Sequence, residues 1–378
     1  MLDRSIIHEA GRLRIDLDAL AQNYRTLVAR AAPAEVGAVI KANAYGLGAT
    51  EVTKALREAG CRLFFVAHLD EALGLHPART PDTRIVVLNG LPPGTEAKCA
   101  AARVIPVLNS LDQARRWRDA AHAIGRRIPA ALQFDSGMAR LGMALEDLSS
   151  LAGDELFESA VDLVMIMSHL ACADRRDHPV NAEQLARFEA MAEHFPGVPR
   201  ALANSGGVFL SSAFRCDIVR TGIALYGAAP NEARPNPVQP VVSLDARVIQ
   251  LRTVPAGSGV GYGHDFHCQR ESRIATIGVG YADGLPRTLA NRGAAWLDDQ
   301  RLPIVGRISM DSITLDVTDL PPGRLRPGGW VELIGPRQSI DALARDAGTI
   351  SYEILTSLGA RYHRTYLASA TCDRGRAA

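Results

Sequence analysis

The sequence lacks the features that mark secreted, membrane and nucleic-acid-binding proteins. No apolar run reaches the roughly 20 residues of a membrane-spanning helix, and residues 1–14 are charged and lack the apolar centre of a signal peptide. The 42 lysines and arginines are balanced by 41 aspartates and glutamates, so no excess positive charge is available to hold nucleic acid or an anionic membrane. We therefore expect a cytoplasmic protein that binds neither.

Cysteine is also scarce, and its spacing suits neither disulfides nor metals. The six cysteines, at positions 61, 99, 172, 216, 268 and 372, include no Cys-x-x-Cys pair. In a cytoplasmic protein of this size they are expected to be small buried apolar residues. Two groups of ligand-type residues, around His169 and Cys172 and around His264 and Cys268, match no standard ligand spacing. No metal site is expected.

What the chain has is a pattern of two domains. Its 378 residues exceed the length of one ordinary core, and 47% of them are hydrophobic, which suits a folded protein. Prolines at positions 230, 235, 237 and 240 interrupt the pattern, as is typical of a domain boundary. We predict domains at residues 1–235 and 236–378, with the short strand predicted at 12–16 free to pair with the second domain.

The first domain alternates apolar segments with helical segments such as 51–59, 95–102, 111–124 and 182–194. The predicted strands are 36–41, 62–68, 84–89, 103–108, 129–135, 161–168, 199–204 and 216–220. Eight such alternations over about 200 residues predict a (β/α)8 barrel of the TIM type. A doubly wound open sheet is the alternative, although no Gly-x-Gly-x-x-Gly follows the first strand.

The second domain is predicted to be mainly β. Apolar segments bounded by glycine-rich turns predict strands at 241–254, 273–279, 301–317 and 329–334. One clear helix is predicted at 340–347.

Polar residues follow several of the predicted barrel strands, where barrel enzymes place their active sites. Any one of them could be a helix cap or a turn, but together they line one face. They are Lys41, Asn89, the segment DSGMAR at 135–140, Ser168 with His169, NSGG at 204–207 and RTGI at 220–223.

Lys41 is the residue that suggests a chemistry. Burial lowers the pKa of a lysine, and a neutral amine attacks a carbonyl to form a Schiff base; the alternative is a lysine that simply extends to water. Ser205 and the backbone N–H groups of Gly206, Gly207, Gly222 and Ile223 could hold an anion. A lysine opposite a phosphate-binding loop describes a pyridoxal phosphate site.

Taken together, the motifs resemble the alanine racemase family, pyridoxal phosphate enzymes that interconvert L- and D-alanine. The matching segments are VIKANAYG (39–46), DSGMARLG (135–142), SH (168–169), NS (204–205), RTGI (220–223), GYG (261–263), GYADG (280–284) and SMD (309–311). They run in family order, and with Tyr352 they span residues 39 to 352.

The resemblance implies roles for four central residues. Lys41 would carry pyridoxal 5'-phosphate as an internal aldimine and serve as the base for D-alanine. Tyr262 would be the base for L-alanine and would reach the site from the partner subunit of a homodimer. Arg220 would pair with the pyridine nitrogen, and His169 would support the hydrogen bonds around Tyr262 and Arg220.

The resemblance also assigns residues to the cofactor, the substrate and the route to the site. The cofactor, chiefly its phosphate, would be held by Tyr45, Asn204, Ser205, Gly222, Ile223 and Tyr352. The carboxylate of alanine would be bound by Arg140 and the backbone of Met310. An entryway that restricts substrate size would be formed by Tyr281, Arg287, Arg307 and Asp311.

One position departs from the family pattern. Many members carry a carbamate-modified lysine two residues before the aspartate of the Asp-x-Gly-Met segment, where this chain has Gln133. A carbamate would steady the carboxylate-binding arginine with negative charge, whereas glutamine offers a neutral amide. Arg140 would then be held less rigidly or by an anion from solvent, which affects substrate affinity rather than the chemistry.

Three competing functions remain at this point. An amino-acid decarboxylase of similar architecture uses a cysteine and an aspartate where this chain has Tyr262 and Tyr281. A broad-specificity racemase needs a wider entryway than Tyr281 and Tyr352 suggest. A non-catalytic cofactor carrier is a barrel alone, without a second domain. The sequence leaves open whether the enzyme serves peptidoglycan synthesis or alanine catabolism.

Replacing Lys41 tests the Schiff base directly. Lys41→Ala should abolish the visible chromophore of the cofactor–lysine imine, because Lys41 is the residue predicted to form it. Absorbance spectra before and after borohydride reduction measure this. A reducible adduct that persists in the variant would contradict the assignment.

Overall fold

Residues 9–232 and 235–369 are described by the structure, a computed structural model. They divide into two units. The barrel unit comprises the described residues of 20–225 and 229–239, and the sheet unit comprises those of 1–19, 226–228 and 240–378. The N-terminal strand therefore belongs to the sheet unit.

The strands are numbered in chain order. They are β1 (Gly11–Asp16), β2 (Glu35–Val39), β3 (Leu63–Val66), β4 (Arg84–Val87), β5 (Ile105–Leu108), β6 (Ile128–Gln133), β7 (Val161–Met167), β8 (Arg200–Ala201), β9 (Ile218–Thr221), β10 (Val242–Val254), β11 (Gly259–Val260), β12 (Phe266–His267), β13 (Ser272–Ile277), β14 (Ala294–Leu297), β15 (Gln300–Pro303), β16 (Ile313–Asp316), β17 (Trp330–Ile334) and β18 (His363–Leu367).

The right-handed α-helices are numbered in the same way. They are α1 (Leu17–Ala31), α2 (Ala49–Glu58), α3 (Leu69–Gly74), α4 (Glu96–Ala101), α5 (Leu111–Ile124), α6 (Leu145–Leu151), α7 (Glu155–Ala160), α8 (Val180–Ala192), α9 (Ile340–Ala347) and α10 (Ser351–Ser357).

The barrel unit is a closed barrel of eight parallel strands, β2 to β9. It closes where β9 pairs with β2, with Thr221 opposite Ala38. Phe64, Ile85 and Leu132 are fully buried in its strands, as expected because parallel strands covered on both faces read as continuous apolar runs. The predicted barrel is confirmed, each of the eight predicted strands overlaps one observed strand, and the open-sheet alternative is wrong.

Helix ends follow ordinary capping chemistry. At the start of α5 the Ser110 hydroxyl accepts the N–H of Gln113 at 3.3 Å, and at its end Gly125 takes the left-handed conformation. Ser339 and Gly348 do the same for α9. Such caps satisfy terminal N–H and C=O groups, which explains why both helices have the bounds that the sequence predicts.

The sheet unit is mainly β, as predicted. Its large sheet has the order β15-β14-β17-β10-β1-β18, with β13 beside β10 and β16 beside β13. Strand β1 pairs antiparallel with β10 and parallel with β18, while β11 and β12 form a separate two-stranded ribbon.

One predicted strand of this unit is wrong, and several of its elements were not predicted. The single strand predicted at 301–317 is wrong, because Gly306, with a φ of 77°, lies in a loop that separates β15 from β16. Strands β11, β12, β14 and β18 were not predicted, and residues 350–354, whose pattern suits a strand or a helix start, lie at the start of helix α10. The outer strand β18 is only partly buried along its length, so it lacks the apolar run that marks an internal strand.

Three of the five described cysteines are buried. The five described cysteines are free thiols, and Cys61, Cys99 and Cys268 are buried, but Cys172 and Cys216 are only half-buried, so the expectation of burial is wrong for these two. Cys372 and most of the charged N-terminal segment lie outside the described residues. Among residues 9–232 and 235–369, no helix is both long and apolar enough to cross a membrane.

Candidate active site

The segment that carries Lys41 leaves strand β2 in a left-handed helical turn, Lys41–Tyr45. Ala42, Asn43, Ala44 and Tyr45 have φ values of 52°, 55°, 54° and 54°. This conformation costs roughly 1–2 kcal/mol for each non-glycine residue, and such residues normally visit it singly. A run of four persists only where the surroundings fix it, and strain of this kind clusters at functional sites.

Hydrogen bonds inside and beside the turn hold it. The N–H of Ala44 bonds to the carbonyl of Ile40 at 2.8 Å, and the N–H of Gly46 bonds to the carbonyl of Ala42 at 2.8 Å. The side chain of Asn43 accepts the N–H of Ala49 at 2.8 Å, at the start of α2. The N–H of Ala42 bonds to a carboxylate oxygen of Glu71 at 2.7 Å.

Lys41 is half-buried and lies among positive charges. Burial lowers the pKa of its amine below the ordinary value, and the positive charges of Arg140 and Arg220 lower it further. The negative charge of Glu71 acts in the opposite direction. A lowered pKa increases the fraction of neutral, nucleophilic amine at neutral pH.

Arg220, on β9, is a buried cation held by main-chain carbonyls. Only 3% of it is exposed. Its guanidinium donates to the carbonyl of Ala201 at 2.6 Å and to the carbonyls of Ser168 and Leu202. Burial lowers the pKa of Arg220 to about 10, which leaves it charged at neutral pH. Within the described ranges it forms no ion pair with a carboxylate.

Burial and the neighbouring charge of Arg220 determine the protonation state of His169. The guanidinium lies 3.3 Å from His169 Nδ1. Because arginine is only a donor, Nδ1 must accept, and the ring proton is on Nε2. Burial, together with the positive charges of Arg220, Arg140 and Lys41, lowers the pKa of His169 well below its ordinary value. His169 is therefore a neutral imidazole at physiological pH.

The loops after β8 and β9 come together around Ser205. Its buried hydroxyl accepts the N–H of Gly222 at 2.9 Å and the N–H of Ala224 at 3.3 Å. A Cβ on Gly222 would lie 2.3 Å from the hydroxyl oxygen of Tyr45, so only glycine allows the tyrosine to approach this loop. The structure thus gathers Tyr45, Ser205, Gly222 and the adjoining Ile223.

Asn204 forms hydrogen bonds with the main chain of this region through both ends of its side-chain amide. Its side-chain oxygen accepts the N–H of Gly207 at 2.9 Å, and its side-chain nitrogen donates to the carbonyl of Leu170 at 3.4 Å. Asn204 therefore accepts the N–H of Gly207, which the sequence analysis offered to an anion, in the same way that Ser205 accepts the N–H of Gly222.

Arg140 is exposed on a loop organised by Asp135. The carboxylate of Asp135 accepts the N–H groups of Gly137 and Met138, each at 2.9 Å, and that of Ala139 at 3.1 Å. Burial opposes ionisation of Asp135, but these hydrogen bonds outweigh it and lower its pKa. The loop therefore keeps its shape with an ionised carboxylate at its start.

Gln133 supports the same loop from strand β6. This residue is buried, and its amide donates to the carbonyl of Leu141 at 3.1 Å, beside Arg140. Gln133 thus contacts the main chain next to the arginine and brings no charge to it.

In the sheet unit, Tyr262 lies on an exposed turn between Gly261 and Gly263. Both glycines have positive φ, 72° and 73°, and 69% of Tyr262 is exposed. A Cβ on Gly263 would lie 3.2 Å from the guanidinium carbon of Arg307, and Arg307 forms an ion pair with Asp265. The Tyr262 turn and Arg307 therefore lie side by side.

Tyr281 and Met310 lie on segments that touch along their backbones. The N–H of Tyr281 bonds to the carbonyl of Ser309 at 3.1 Å. A Cβ on Gly280 would lie 2.3 Å from that oxygen, so this approach requires glycine. The guanidinium of Arg287 lies 6.0 Å from the ring centre of Tyr281, and 53% of Met310 is exposed.

Arg361 braces these segments and was not anticipated from the sequence. It bonds to the buried carboxylate of Asp283 through two nitrogens at 2.8 Å and to Asp311 at 2.6 Å. Since Asp283 follows Tyr281 and Asp311 follows Met310, one arginine fixes both segments.

The predicted site residues fall into one set for each unit. In the barrel unit the structure brings together Lys41, Tyr45, Arg140, His169, Asn204, Ser205, Arg220, Gly222 and Ile223. In the sheet unit it places Tyr262, Tyr281, Arg287, Arg307, Met310, Asp311 and, on the half-exposed first turn of α10, Tyr352.

Glu71 was also missed, and a signal for it existed. It lies in the first turn of α3, and its carboxylate accepts the N–H of His68, the residue before that helix, at 3.2 Å. An acidic residue three positions after a helix cap is a recognised capping pattern. Its bond to Ala42 depends on the tertiary structure.

The fold and the site define a class of two-domain enzymes, in which a barrel presents a strand-end lysine and a mainly β domain follows. Two family models match the chain, "Alanine racemase, N-terminal domain" over residues 15–230 and "Alanine racemase, C-terminal domain" over residues 241–366. The chain belongs to the alanine racemase family.

Two relatives named alanine racemase align with nearly the whole chain. A relative from Agrobacterium fabrum named "Alanine racemase, catabolic" is 53% identical and aligns with 95% of this chain and 92% of its own length. An alanine racemase from Brucella abortus is 50% identical, over 97% of this chain and 96% of its own.

Two solved structures of alanine racemases are also similar to this chain. Alanine racemase from Bartonella henselae with covalently bound pyridoxal phosphate has a TM-score of 0.92 and 44% identity, over 95% of this chain and 99% of its own. The biosynthetic alanine racemase of Pseudomonas aeruginosa has a TM-score of 0.89 and 35% identity, over 95% of this chain and 100% of its own.

The contact between Arg220 and His169 predicts one tautomer and no titration near neutrality. In ¹⁵N-labelled protein the His169 resonances should keep the neutral, Nε2-protonated pattern over the pH range in which free imidazole becomes protonated, because protonation would place two cations together in a buried site. The His169→Gln spectrum identifies the signal, and free imidazole serves as the control. A titration matching that of free imidazole would contradict the arrangement.

Proposed function

We propose that this protein is an alanine racemase, which interconverts L- and D-alanine with pyridoxal 5'-phosphate bound at the carboxyl end of its barrel. The observation that carries this proposal is Lys41, a half-buried amine of lowered pKa on a strained turn. The relatives named alanine racemase, which align over nearly the whole chain, support it.

The barrel unit fits this cofactor. The phosphate would be held by Tyr45, Ser205 and the backbone of Gly222 and Ile223, and it would replace the Ser205 hydroxyl as the acceptor of the Gly222 N–H. Arg220 is a buried cation whose bonds to main-chain carbonyls and His169 leave its charge without a carboxylate partner in the described ranges. Such a group suits the lone pair of a pyridine nitrogen.

Two bases on opposite faces of alanine Cα would perform the reaction. When bound, pyridoxal phosphate makes the Cα proton acidic by withdrawing electrons from that carbon. Lys41 Nζ removes the proton from D-alanine, and Tyr262 Oη removes it from L-alanine. After one residue has removed the proton, the other delivers a proton to Cα from the opposite face, so the configuration is inverted.

Arg220 and His169 would direct where the proton returns. Arg220 would donate an N–H to the ring nitrogen and would keep its own proton. We infer that this limits electron withdrawal and favours return of the proton to Cα, and so favours racemisation over transamination. His169, neutral and bonded to Arg220 through Nδ1, keeps the guanidinium in place.

Arg140 and the backbone of Met310 would bind the carboxylate of alanine. Arginine holds carboxylates through paired hydrogen bonds, which orient the substrate. Gln133 steadies the loop of Arg140 through Leu141 rather than through a charge. Tyr281, Arg287, Arg307 and Asp311 would line an entryway suited to a small amino acid.

The active unit would be a homodimer with shared sites. Tyr262, Met310 and Tyr352 are 69%, 53% and 42% exposed in the single chain. Large apolar and aromatic side chains left this exposed are typical of residues that a partner covers. Tyr262 of one subunit would then complete the site around Lys41 of the other.

For the functional division of the chain we propose the domains predicted from the sequence. Residues 1–235 would bind the cofactor, and residues 236–378 would contribute to the partner's site. We place the enzyme in the cytoplasm, since its described cysteines are free thiols, as in proteins of reducing compartments.

Proton NMR in D₂O with resolution of the enantiomers tests the activity. Cofactor-loaded protein should remove the Cα–H signal of L-alanine and produce D-alanine. Tyr262→Phe should still exchange the Cα proton of D-alanine through Lys41 but should neither exchange L-alanine nor invert either enantiomer. Tyr366→Phe, on β18, removes the same oxygen elsewhere and should behave as wild type. Exchange of L-alanine at the wild-type rate in Tyr262→Phe would contradict the two-base assignment.

Mixed dimers test the shared site. Lys41→Ala and Tyr262→Phe chains should each be inactive alone, but when refolded together they should recover about a quarter of wild-type activity, because half of the randomly formed dimers carry one intact site. Each homodimer, treated identically, is the control. No recovery in dimers verified by sedimentation would refute sharing.

A further inference from the structure

The N–H of Ala42, near the start of the left-handed turn, bonds to a group outside the turn. The helical hydrogen bonds of the turn begin with the N–H of Ala44, which donates to the carbonyl of Ile40, the residue before Lys41. The N–H of Ala42 precedes these, as the first donors of any helical turn do. It bonds outside the turn, to Glu71 Oε1 at 2.7 Å.

Glu71 uses its second oxygen on the neighbouring strand's loop. Oε2 accepts the N–H of Ala67 at 2.7 Å and that of His68 at 3.2 Å. These residues follow β3, whereas Ala42 follows β2. One ionised carboxylate therefore ties together the loops after two adjacent barrel strands, through hydrogen bonds of the charge-assisted type.

The bond to Ala42 fixes the peptide that follows Lys41. The peptide is planar, so holding its N–H also orients the carbonyl and Cα of the lysine. We propose that Glu71 is the positioning residue for Lys41: its carboxylate holds the left-handed turn and thereby directs the lysine side chain into the site. The role in catalysis rests on the proposed function of Lys41, whereas the contacts do not.

Charge gives Glu71 a second effect on the lysine. The charged groups that face Lys41 are Glu71 on α3, Arg140 on the loop after β6 and Arg220 on β9, with neutral His169 after β7. Glu71 alone among them favours the protonated amine. It limits how far burial and the two arginines lower the pKa.

Two substitutions separate geometry from charge. Glu71→Gln removes the charge and leaves one acceptor oxygen, so it cannot serve Ala42 and the β3 loop together. Glu71→Asp keeps the charge, but its side chain is shorter by one methylene and cannot bond to Ala42 and to the loop after β3 at the same time. Glu51→Gln, on α2, makes the same chemical change away from the turn and is the matched control.

The first measurement follows Lys41 itself in the full chain after hydroxylamine has removed the cofactor. The sequence has only three lysines, so pulse acetylation read by mass spectrometry at each pH reports Lys41, with Lys98 as the reference because Lys54 pairs with the Glu51 of the control variant. Glu71→Gln should shift the Lys41 midpoint to lower pH, while Glu71→Asp and Glu51→Gln should leave it near that of wild type. An unmoved midpoint in Glu71→Gln would overturn the charge effect.

The second measurement is the rate at which visible absorbance returns when pyridoxal phosphate is added. Glu71→Gln and Glu71→Asp should each recapture it about ten-fold more slowly, because the amine is misplaced, with circular dichroism unchanged. Adding Ala42→Gly to Glu71→Gln should restore part of the rate, since glycine adopts positive φ without strain. Wild-type recapture in both Glu71 variants would overturn the positioning role.

These measurements distinguish this inference from the proposed function. Acetylation of Lys41 requires neither cofactor nor alanine, so it reports the contact with Glu71 even if the protein fails to racemise alanine. If racemisation is present while both Glu71 variants match wild type in both measurements, only the inference about Glu71 fails.

Discussion

The pairing of β2 with β9 is the interaction on which the site depends. Four residues of β2, from Glu35 to Ala38, lie opposite four of β9, from Ile218 to Thr221. This pairing closes the barrel and places the ends of its first and last strands side by side. Lys41 and Arg220, far apart in sequence, then act on the same small volume. Without closure, neither the lowered pKa of the amine nor the burial of the guanidinium would arise.

Once closed, the barrel concentrates positive charge at one end. Lys41, Arg140 and Arg220 influence one another there, and Glu71 is the acid that most affects the lysine. A site with an excess of cations is unfavourable alone because each charge disfavours the others. It suits ligands that carry a phosphate and a carboxylate. Burial and the same excess of positive charge keep His169 neutral, so the end of the barrel that suits anions also holds an uncharged histidine.

The sequence predicted the barrel because its strands are buried on both faces and read as apolar runs. It failed for β18, which is only partly buried along its length, since no apolar run marks such a strand. It also failed for the turn after Lys41, because positive φ is normally signalled by glycine and this turn uses alanine, asparagine and tyrosine. Candidate site residues were proposed from motifs, but Glu71 and Arg361 were not. Arg361 bonds to Asp283, 78 residues away, and no local pattern encodes such a contact.

The bond between Ala42 and Glu71 also bears on how the chain folds during synthesis. The residues of the turn leave the ribosome before the glutamate, which follows Ala42 by 29 positions. Until then the strained turn lacks one of its supports, and a relaxed conformation is favoured. The nascent chain therefore completes the turn after Lys41 only once β3, the second strand of the barrel, and the start of α3 have emerged. The geometry of the reactive lysine is thus acquired late, as a product of tertiary assembly, even though Lys41 is among the first residues of the barrel to be made.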